Sequence, residues 1–477
     1  MKYRFLLSLF VSATCFARVI NFPAAEGMTA SAKYTLKAGG KDIVLYDAPF
    51  AAYGVFDFDG TAEVTVKALT RDVKWVDVRP LSLGIKVKIN RDSTFSFTLT
   101  KPCNISIEIN GECRNFPLFL FTNAPETNVP DKKDKNVIFY EAGKMYRPNS
   151  IELKSNQTLY IEGGAVVEAN VVATDAQNIC VRGRGILLGT HSREFNKEHH
   201  RMFNLFDCKN IELADILVID SHSWDVAPFH CSNVNIHSLR IVSDNGGDDG
   251  MDIVLCKKVN IKNCFIHTKD DCIAVKSFSK KTTRDNTDGI EVSDCVFWNS
   301  AWGNAIEIGF ELMSDSVNNI FFRNCDVIHV EGGAAFSIHN SDRAVVHNIV
   351  FENIRVEDAN QKLVDLAIFI SRYCTDGKNF VAEEKTRYLN GIWDNVWNLS
   401  AAEKKQYAAN RGKIENVVFR NIEVIEGYAP FSVICGWDED HKISGVVFEN
   451  IFIHGMKITN AEELKLYTES AENITIR

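Results

Sequence analysis

From about residue 150 onwards, short runs of alternating apolar and polar residues recur at regular steps along the chain. Most steps between equivalent aliphatic positions are 23 to 31 residues long. Short β-branched strands at such a period, separated by turns, are typical of a β-solenoid, and no long amphipathic helix is visible. Asparagine suits the turns because it tolerates a left-handed backbone, and it opens the clearest runs at Asn210, Asn233, Asn319, Asn348, Asn416 and Asn473.

A β-sandwich or a propeller is the alternative to a solenoid, but propeller blades repeat at roughly forty residues or more. One step of the repeat is 68 residues long and contains an insertion at about residues 360–412. This insertion holds Trp393, Trp397 and a helix-forming stretch at residues 401–405. It is interpreted either as a rim over a binding face or as a cap with a small core of its own.

Residues 18–125 follow a different pattern, in which alternating segments are separated by Gly, Asn and Asp turns. This pattern predicts an antiparallel β-sandwich. A polar stretch at about residues 125–136 predicts a linker, and the solenoid is expected over residues 136–477. The sandwich either binds sugar or covers the open end of the solenoid. We favour the second role, because an exposed solenoid end promotes aggregation.

Residues 1–17 combine a basic start, an apolar run and small residues at the end. They predict a signal peptide, since the apolar run is too short to span a membrane. We therefore expect an exported protein, secreted or periplasmic, with a lipid anchor on Cys15 as the less favoured form. No later run of eighteen apolar residues occurs, so we expect no membrane span.

The 477 residues carry a formal net charge of -9, which argues against nucleic acid and anionic surfaces as partners. We expect a monomer with no cofactor and no metal ion, and the lack of a Cys-x-x-Cys pair argues against zinc. Cys103 and Cys113 flank a hairpin-like segment and are candidates for a disulfide. Six cysteines follow the repeat and are expected to be buried as small apolar side chains: Cys208, Cys231, Cys256, Cys264, Cys295 and Cys325.

Three aspartates, Asp249, Asp270 and Asp271, lie one repeat apart, with a step of 22 positions from the first to the last. In a solenoid, this spacing stacks the carboxyl groups on one wall. Like charges held so close raise one another's pKa. One protonated and one ionised carboxyl group are what the hydrolysis of a glycosidic bond requires.

The motifs around these aspartates resemble those of the polygalacturonase family (glycoside hydrolase family 28), which consists of right-handed parallel β-helix enzymes. Residues 248–250 and 269–272 stand for two family motifs, and residues 221–226 resemble the preceding coil. The resemblance runs from about residue 163 to 349. The order of sandwich and helix is similar to the sister family 49. Asn304 takes the place of a family histidine, and residues 336–339 stand where the family has Arg-Ile-Lys.

The resemblance implies an inverting mechanism, with Asp270 as the general acid and Asp249 and Asp271 holding the attacking water. Because serine and neutral histidine would not clamp a uronate carboxylate, the expected substrate is a polysaccharide or oligosaccharide other than unmodified polygalacturonate. Trp224 and Trp302 either stack on a sugar ring or are buried. The candidates for substrate binding are Asn304, Glu307, His339, Lys276 and Trp224.

Three alternatives remain open on the sequence alone. The protein is a polygalacturonase acting on pectin, a polysaccharide lyase with the same architecture, or a glycan-binding solenoid without activity. The missing basic clamp argues against a lyase.

Overall fold

The computed structural model describes residues 18–195, 200–279, 285–371, 373–376 and 399–477, with two further short strands at Tyr388–Leu389 and Ile392–Trp393. The leader, residues 1–17 with Cys15, lies outside these ranges. No helix in the described part of the chain is long and apolar enough to cross a membrane. The helical elements among the described residues are Ser192–Phe195 and Ala401–Tyr407, with 3-10 turns at Leu81–Leu83 and Ala408–Asn410.

One sheet of 31 strands winds into a right-handed parallel β-helix, which confirms the predicted fold class. Its strands stack coil upon coil in three faces, and Met456–Lys457 adds a short antiparallel pair. The first face consists of Val137–Tyr140, Thr158–Ile161, Gln177–Gly183, Lys209–Ala214, Ser232–His237, Lys257–Lys262, Thr287–Ser293, Ser316–Arg323, Val345–Val356, Lys413–Val424, Ile443–Ile453, Ala471–Glu472 and Thr475–Ile476. The second consists of Met145–Glu152, Val166–Thr174, Ile186–Leu188, Leu217–Ile219, Arg240–Val242, Phe265–Thr268, Val296–Asn299 and Asp326–Val330. The third consists of Phe203–Phe206, Val226–Phe229, Met251–Val254, Ile273–Ser277, Ile306–Leu312, Ala334–Asn340, Lys362–Ile368, Phe431–Cys435 and Leu466–Glu469.

The interior of the β-helix is one continuous apolar core, because the inward side chain of each coil lies on its counterpart in the next. Val234, for example, pairs with Ile211 below and Val259 above. The six cysteines expected inside are all buried, as predicted. Stacked methyl and thiol groups at strand spacing remove apolar surface from water along the whole axis.

Asparagines line one edge of the first face in the left-handed conformation that the sequence predicted. Asn210 and Asn233 both have φ of 55°. Their amides do not bond their own backbone; Asn233 Nδ2 donates to Asn210 Oδ1 at 3.0 Å, and Asn210 Nδ2 to Asn178 Oδ1 at 2.8 Å. Each turn thus hydrogen-bonds the turn of the neighbouring coil, which holds the register.

The N-terminal region forms two sheets packed around their own apolar core. The sandwich is mostly antiparallel, but Leu118–Asn123 pairs with Ala52–Asp59 in parallel. Its six-stranded sheet consists of Arg18–Asn21, Leu45–Asp47, Ala52–Asp59, Val76–Arg79, Asn104–Ile109 and Leu118–Asn123. The five-stranded sheet consists of Tyr34–Ala38, Lys41–Ile43, Ala62–Ala68, Lys88–Ile89 and Thr94–Leu99.

The suggested pair of Cys103 and Cys113 is wrong, because both thiols are free. Cys103 precedes the strand Asn104–Ile109, and Cys113 lies in the turn beyond its other end. A strand of six residues separates them by roughly 20 Å, far beyond disulfide reach. Cys103 packs on the sandwich core, whereas Cys113 packs on the cluster between sandwich and β-helix.

The sandwich lies along the second face of the β-helix, so the expectation that it covers the open end is wrong. Phe119 of the sandwich contacts Phe265 and Trp298 of that face, with ring centroids 5.2 and 5.6 Å apart. The outward side chains of the second face are apolar here and share one buried cluster with the sandwich. Burying this flank explains the position of the sandwich better than end capping does.

The inserted region is described only in part. Its predicted helix-forming stretch is confirmed as Ala401–Tyr407, and Ser400 and Glu403 close a capping box at its start. Trp397 and the side chain of Trp393 lie outside the described residues. The role of the insertion as a rim or a cap therefore stays a prediction.

Buried ion pairs also join the sandwich to the β-helix. Arg79 of the sandwich contacts Glu108 at 3.1 Å, Glu357 of the β-helix at 2.7 Å, and Glu426. Burial raises the pKa of Glu357 to about 7, against the lowering effect of Arg79. The arginine therefore keeps two buried carboxyl groups compensated at the junction.

Replacing Arg79 by Met should destabilise the protein by about 3–5 kcal/mol, because it leaves the buried Glu357 without its counter-ion and Glu108 with His329 alone. Urea denaturation at neutral pH measures the loss. Arg420→Met is the matched control, since Arg420 also bridges two glutamates, Glu449 and Glu352, but on the surface. Exposed pairs contribute little, so equal losses in the two variants would contradict this account of the junction.

Candidate active site

A cleft of about 590 Å³ opens along the third face of the β-helix. Outward side chains of the third face and residues of the connecting turns form its surface. The residues that line it are Trp224, Gly247, Asp249, Asp270, Asp271, Lys276, Ala301, Trp302, Gly303, Asn304, Phe310, Glu311, Gly333, His339, Lys362 and Tyr373.

The register of the third face brings the three aspartates together. Met251 pairs with Ile273, so Asp249 lies directly below Asp271, and Gly250 N–H donates to the Asp271 carbonyl at 2.8 Å. Asp270 sits beside Asp271 on the same turn. The 22-residue spacing therefore places the trio at one patch of the cleft.

Two neighbouring residues shape the turn that carries Asp270. The buried carboxylate of Asp248 accepts the backbone N–H groups of Lys269 and Asp270 at 3.2 and 3.3 Å. Gly303 has φ of +62°, and a Cβ there would lie 2.5 Å from Asp270 Oδ1 and 2.7 Å from Asp271 Oδ1. Only glycine leaves room for both carboxyl groups at this point.

All three aspartates have raised pKa values. For Asp249, burial is the main cause and repulsion from Asp270 the next, and together they raise the pKa to about 8. Burial likewise raises the pKa of Asp270, and that of Asp271 well above its usual range with help from Asp270 and Glu307. A buried group of like charges holds at least one proton at neutral pH.

Lys276 is the cation of this patch, and it is buried. Its ammonium lies 3.9 Å from Asp249, 3.5 Å from Asp252 and 3.3 Å from Glu311. Burial opposes its charge, but these carboxylates outweigh that effect and raise the pKa of Lys276 well above its usual range. Lys276 therefore neutralises neighbouring acids as well as lining the cleft.

Asn304 and His339 line the cleft, whereas Glu307 lies behind its wall with no exposed surface. Asn304 N–H and Nδ2 donate to Asp271 Oδ1 at 2.7 and 3.3 Å. Glu307 accepts from Asn304 Nδ2 at 2.9 Å and from His339 Nδ1 at 2.8 Å. His339 is not a neutral histidine as the sequence suggested, since these acidic neighbours raise its pKa to about 10 against the effect of burial.

The aromatic candidates differ in exposure. Trp302 is 53% exposed on the cleft wall, with the Lys269 ammonium 5.0 Å from its ring centroid. Trp224 is half-buried, lies parallel to Phe229 and has the Arg201 guanidinium 4.5 Å from its ring centroid. Both rings line the cleft, so neither is a purely interior residue.

Five further residues of the site were not among the predicted candidates. Asp248 belongs to a motif in the sequence analysis but is not named there as a site residue, although its position directly before Asp249 indicates that it lies near the site. The other four lie outside the aligned motifs, in strands and turns where the local sequence does not show which side chains face the cleft. They are Phe310, Glu311, Lys362 and Tyr373.

Within the described part of the chain, no cluster of three or more histidine, cysteine, aspartate or glutamate side chains is arranged to hold a metal ion. The acids of the cleft are instead compensated by Lys276 and by hydrogen-bond donors.

Comparison with solved structures supports the architecture. Dex49A from Penicillium minioluteum aligns over 96% of both chains with a TM-score of 0.64 at 14% identity. A hyperthermoactive exopolygalacturonase from Thermotoga maritima aligns over 71% of this chain and 84% of its own, with a TM-score of 0.53 at 17% identity. At these identities the likeness concerns the fold, and for Dex49A it includes the sandwich.

Similar sequences carry polygalacturonase names. A probable polygalacturonase of Arabidopsis thaliana is 25% identical over 242 residues, which are 49% of this chain and 48% of the relative. A probable endopolygalacturonase D of Neosartorya fischeri is 24% identical over 249 residues, 52% of this chain and 43% of the relative. The chain thus spans about half the length of the curated relatives that it matches.

The sequence model of the glycosyl hydrolases family 28 matches residues 134–436. This range covers well over half of the chain and contains the cleft with all three stacked aspartates. The chain therefore belongs to glycosyl hydrolase family 28.

Proposed function

We propose that the protein is an exported glycoside hydrolase that cleaves a polysaccharide or oligosaccharide with inversion at the anomeric carbon. The observation that carries this proposal is the stack of Asp249, Asp270 and Asp271 in an open cleft of a family 28 chain. Paired carboxyl groups of different protonation state are the chemical requirement for this reaction.

Asp270 is the proposed general acid. It is the most exposed of the three aspartates, so it can reach the glycosidic oxygen. Among the described residues, its carboxyl group receives one backbone N–H, from Asp271 at 3.1 Å. Fewer hydrogen-bond donors stabilise its ionised form than that of Asp271, and this difference favours Asp270 as the proton donor.

Asp249 and Asp271 are the proposed holders of the attacking water. Lys276 lies 3.9 Å from Asp249, and two N–H groups of Asn304 bond to Asp271. Both arrangements favour the ionised carboxylate that a general base requires and oppose the burial that raises the pKa of the two groups. Adjacent coils are about 4.8 Å apart, so carboxyl groups one coil apart can span the roughly 6.5–9.5 Å between acid and base in inverting enzymes.

The charge of the cleft supports a neutral glycan as substrate. Its described lining contains three cations, Lys276, His339 and Lys362, and each already contacts a carboxylate of the protein. A uronate carboxylate would compete with these buried acids for the same charges. A neutral sugar bound by hydrogen bonds and aromatic faces avoids this competition.

Hydrolysis of polygalacturonate is the second candidate function. The relatives carry polygalacturonase names, and Arg201 offers a cation near the cleft. Its guanidinium stacks on Trp224, and its buried Nε has no hydrogen-bond partner among the residues that the structure describes. A bound carboxylate at Trp224 would supply that partner.

Hydrolysis by the wild-type protein should release a product whose anomeric configuration is opposite to that of the bond cleaved. Proton nuclear magnetic resonance during the first minutes on a panel of poly- and oligosaccharides detects it before mutarotation. Asp270→Asn should lower kcat by about 10²- to 10⁴-fold, because proton donation is lost, with substrate binding retained in calorimetry.

The matched control is Asp315→Asn, which makes the same substitution at an exposed carboxylate paired with Arg343. It should leave kcat unchanged. Retention of configuration would contradict the inverting mechanism, and products with ultraviolet-absorbing unsaturation would indicate a lyase. Binding without turnover in the wild type would identify a glycan-binding protein.

The preference for a neutral or a charged substrate can be tested with a single polysaccharide in its esterified and de-esterified forms. We expect the protein to cleave neutral glycans, and fully methyl-esterified polygalacturonate faster than the de-esterified polymer, because esterification removes the carboxylates. Reducing ends released per minute measure both rates. Faster cleavage of the de-esterified polymer, abolished by Arg201→Gln, would favour the second candidate instead.

Export is proposed from the leader sequence alone, a basic start and an apolar run before residue 18. Expression of the whole gene in a bacterial host should release a processed protein, and N-terminal sequencing should read from about Arg18. Recovery of unprocessed chain in the cytoplasmic fraction would contradict export, and a lipid-modified Cys15 in mass spectrometry would indicate anchoring.

A further inference from the structure

Behind the catalytic patch, a series of hydrogen bonds runs away from Asp271 into the wall of the cleft. Asp271 Oδ1 accepts the backbone N–H of Asn304 at 2.7 Å and its side-chain amide at 3.3 Å. Both donors lie on the next coil, directly above the aspartate. One oxygen of Asp271 is therefore held by the protein, and the proposed reaction needs only the other.

The orientation of the Asn304 amide is fixed by its own partners. Its Oδ1 accepts the N–H of Ala334 at 2.8 Å, a backbone group that can only donate. Its Nδ2 must then face Asp271 and Glu307, and it lies 3.3 and 2.9 Å from their oxygens. The two amide hydrogens thus connect two carboxylates.

Glu307 is completely buried, so it binds no sugar. Its Oε2 accepts from Asn304 Nδ2 at 2.9 Å, from His339 Nδ1 at 2.8 Å and from the Ser337 hydroxyl. These contacts fix the position of the Glu307 carboxyl group. Glu307 lies in register with Ser337 and Asp365 of the following coils, which gives this contact its geometry.

His339 compensates the charge of Glu307. Its Nε2 lies 3.3 Å from Asp365 Oδ2, and Asp365 also contacts Lys362. Burial opposes protonation of His339, but Glu307 and Asp365 outweigh it and raise its pKa to about 10. Lys362 and His339 in turn lower the pKa of Asp365 to about 2, against the effect of burial.

We infer that Asn304, Glu307 and His339 are positioning residues, which act in series to hold Asp271 ionised with its second oxygen directed at the attacking water. His339 anchors Glu307, Glu307 orients the Asn304 amide, and that amide binds Asp271. This assignment rests on the proposed function. It replaces the expected contact between Glu307 and sugar with a structural role behind the wall.

Asn304→Ala removes the side-chain donor and keeps the backbone one. We expect kcat to fall by about 10- to 100-fold, comparable with other losses of a supporting partner, and KM to stay within about threefold. The acidic limb of the pH profile of kcat/KM should move upward by about one pH unit, because the ionised form of Asp271 loses a hydrogen bond. Glu307→Gln should move the limb less than Asn304→Ala does, because it frees the Asn304 amide but also removes the Glu307 charge that raises the pKa of Asp271.

The double variant Asn304→Ala with Glu307→Gln tests whether Glu307 acts on Asp271 through Asn304 or whether the two residues contribute independently. If Glu307 acts through Asn304, the double variant should resemble Asn304→Ala alone, since coupled residues are not additive. Additive losses in kcat, or an unmoved acidic limb in Asn304→Ala, would overturn the inference.

His329→Asn is the control for loss of a buried, charged histidine. His329 lies at the junction of sandwich and β-helix, between Glu108 at 3.1 Å and Asp358 at 3.2 Å, and its pKa is likewise raised, to about 9. This variant should lose stability without moving the acidic limb, whereas His339→Asn should move it. Equal pH profiles of the two variants would show that the role of His339 is structural only.

A readout without substrate keeps this inference separate from the proposed function. Burial already raises the pKa of Asp271, so the folded state loses stability as the pH rises and the buried carboxyl ionises. Asn304→Ala raises that pKa further, so its stability deficit relative to wild type should grow as the pH rises through the folded-state pKa of wild-type Asp271. A deficit that is constant with pH would overturn the positioning role, even if no glycan is cleaved.

Discussion

The hydrogen-bonded register between parallel coils is the constraint on which this molecule depends. Each strand of the third face bonds the strand below, and the pairing of Met251 with Ile273 alone fixes Asp249 beneath Asp271. A shift of one residue would turn every side chain to the other side of the wall. The stacked apolar interior opposes such a shift, because it would expose the core of every coil. Hydrogen bonds between stacked asparagines, such as that from Asn233 to Asn210, further fix the register at the turns.

The same regularity that gathers the aspartates also gathers their compensating partners. Carboxyl groups buried one coil apart repel each other, and in a low dielectric this repulsion is strong. Residues from successive coils of the same face reduce this repulsion: Lys276 forms an ion pair with Asp249, and Asn304 donates hydrogen bonds to Asp271. Glu307 and His339 continue the alternation one coil further. Acidic and donor side chains thus alternate along the axis at these coils.

The fold class and the trio could be read from the sequence because both depend on period. Apolar residues at steps of 23 to 31 and two motifs 22 residues apart are features that a linear chain displays directly. Whether a side chain is buried behind the wall of the cleft cannot be read from the sequence in this way. Glu307 was expected to touch sugar, yet the local sequence gives no sign that Asn304 covers it. Lys362 and Tyr373 join the cleft from a later coil, next to an insertion that interrupts the repeat. Cys103 and Cys113 looked paired because sequence distance is short, whereas an extended strand keeps them apart.

The position of the sandwich follows from the polarity of the outward side chains, which differs between the faces of the β-helix although the repeat of inward residues is the same. Outward side chains on a solenoid are usually polar, but those of the second face are large and apolar where the sandwich lies, as with Leu217, Phe265 and Trp298. Left in water, they would form an exposed apolar strip along several coils. The third face carries carboxyl, amide and ammonium groups at the same coils, which need solvent or substrate. Covering the second face therefore stabilises the coils that carry the cleft and leaves the cleft itself open. The sandwich and the β-helix therefore share one buried apolar cluster, which covers one flank of the coils that carry the aspartates.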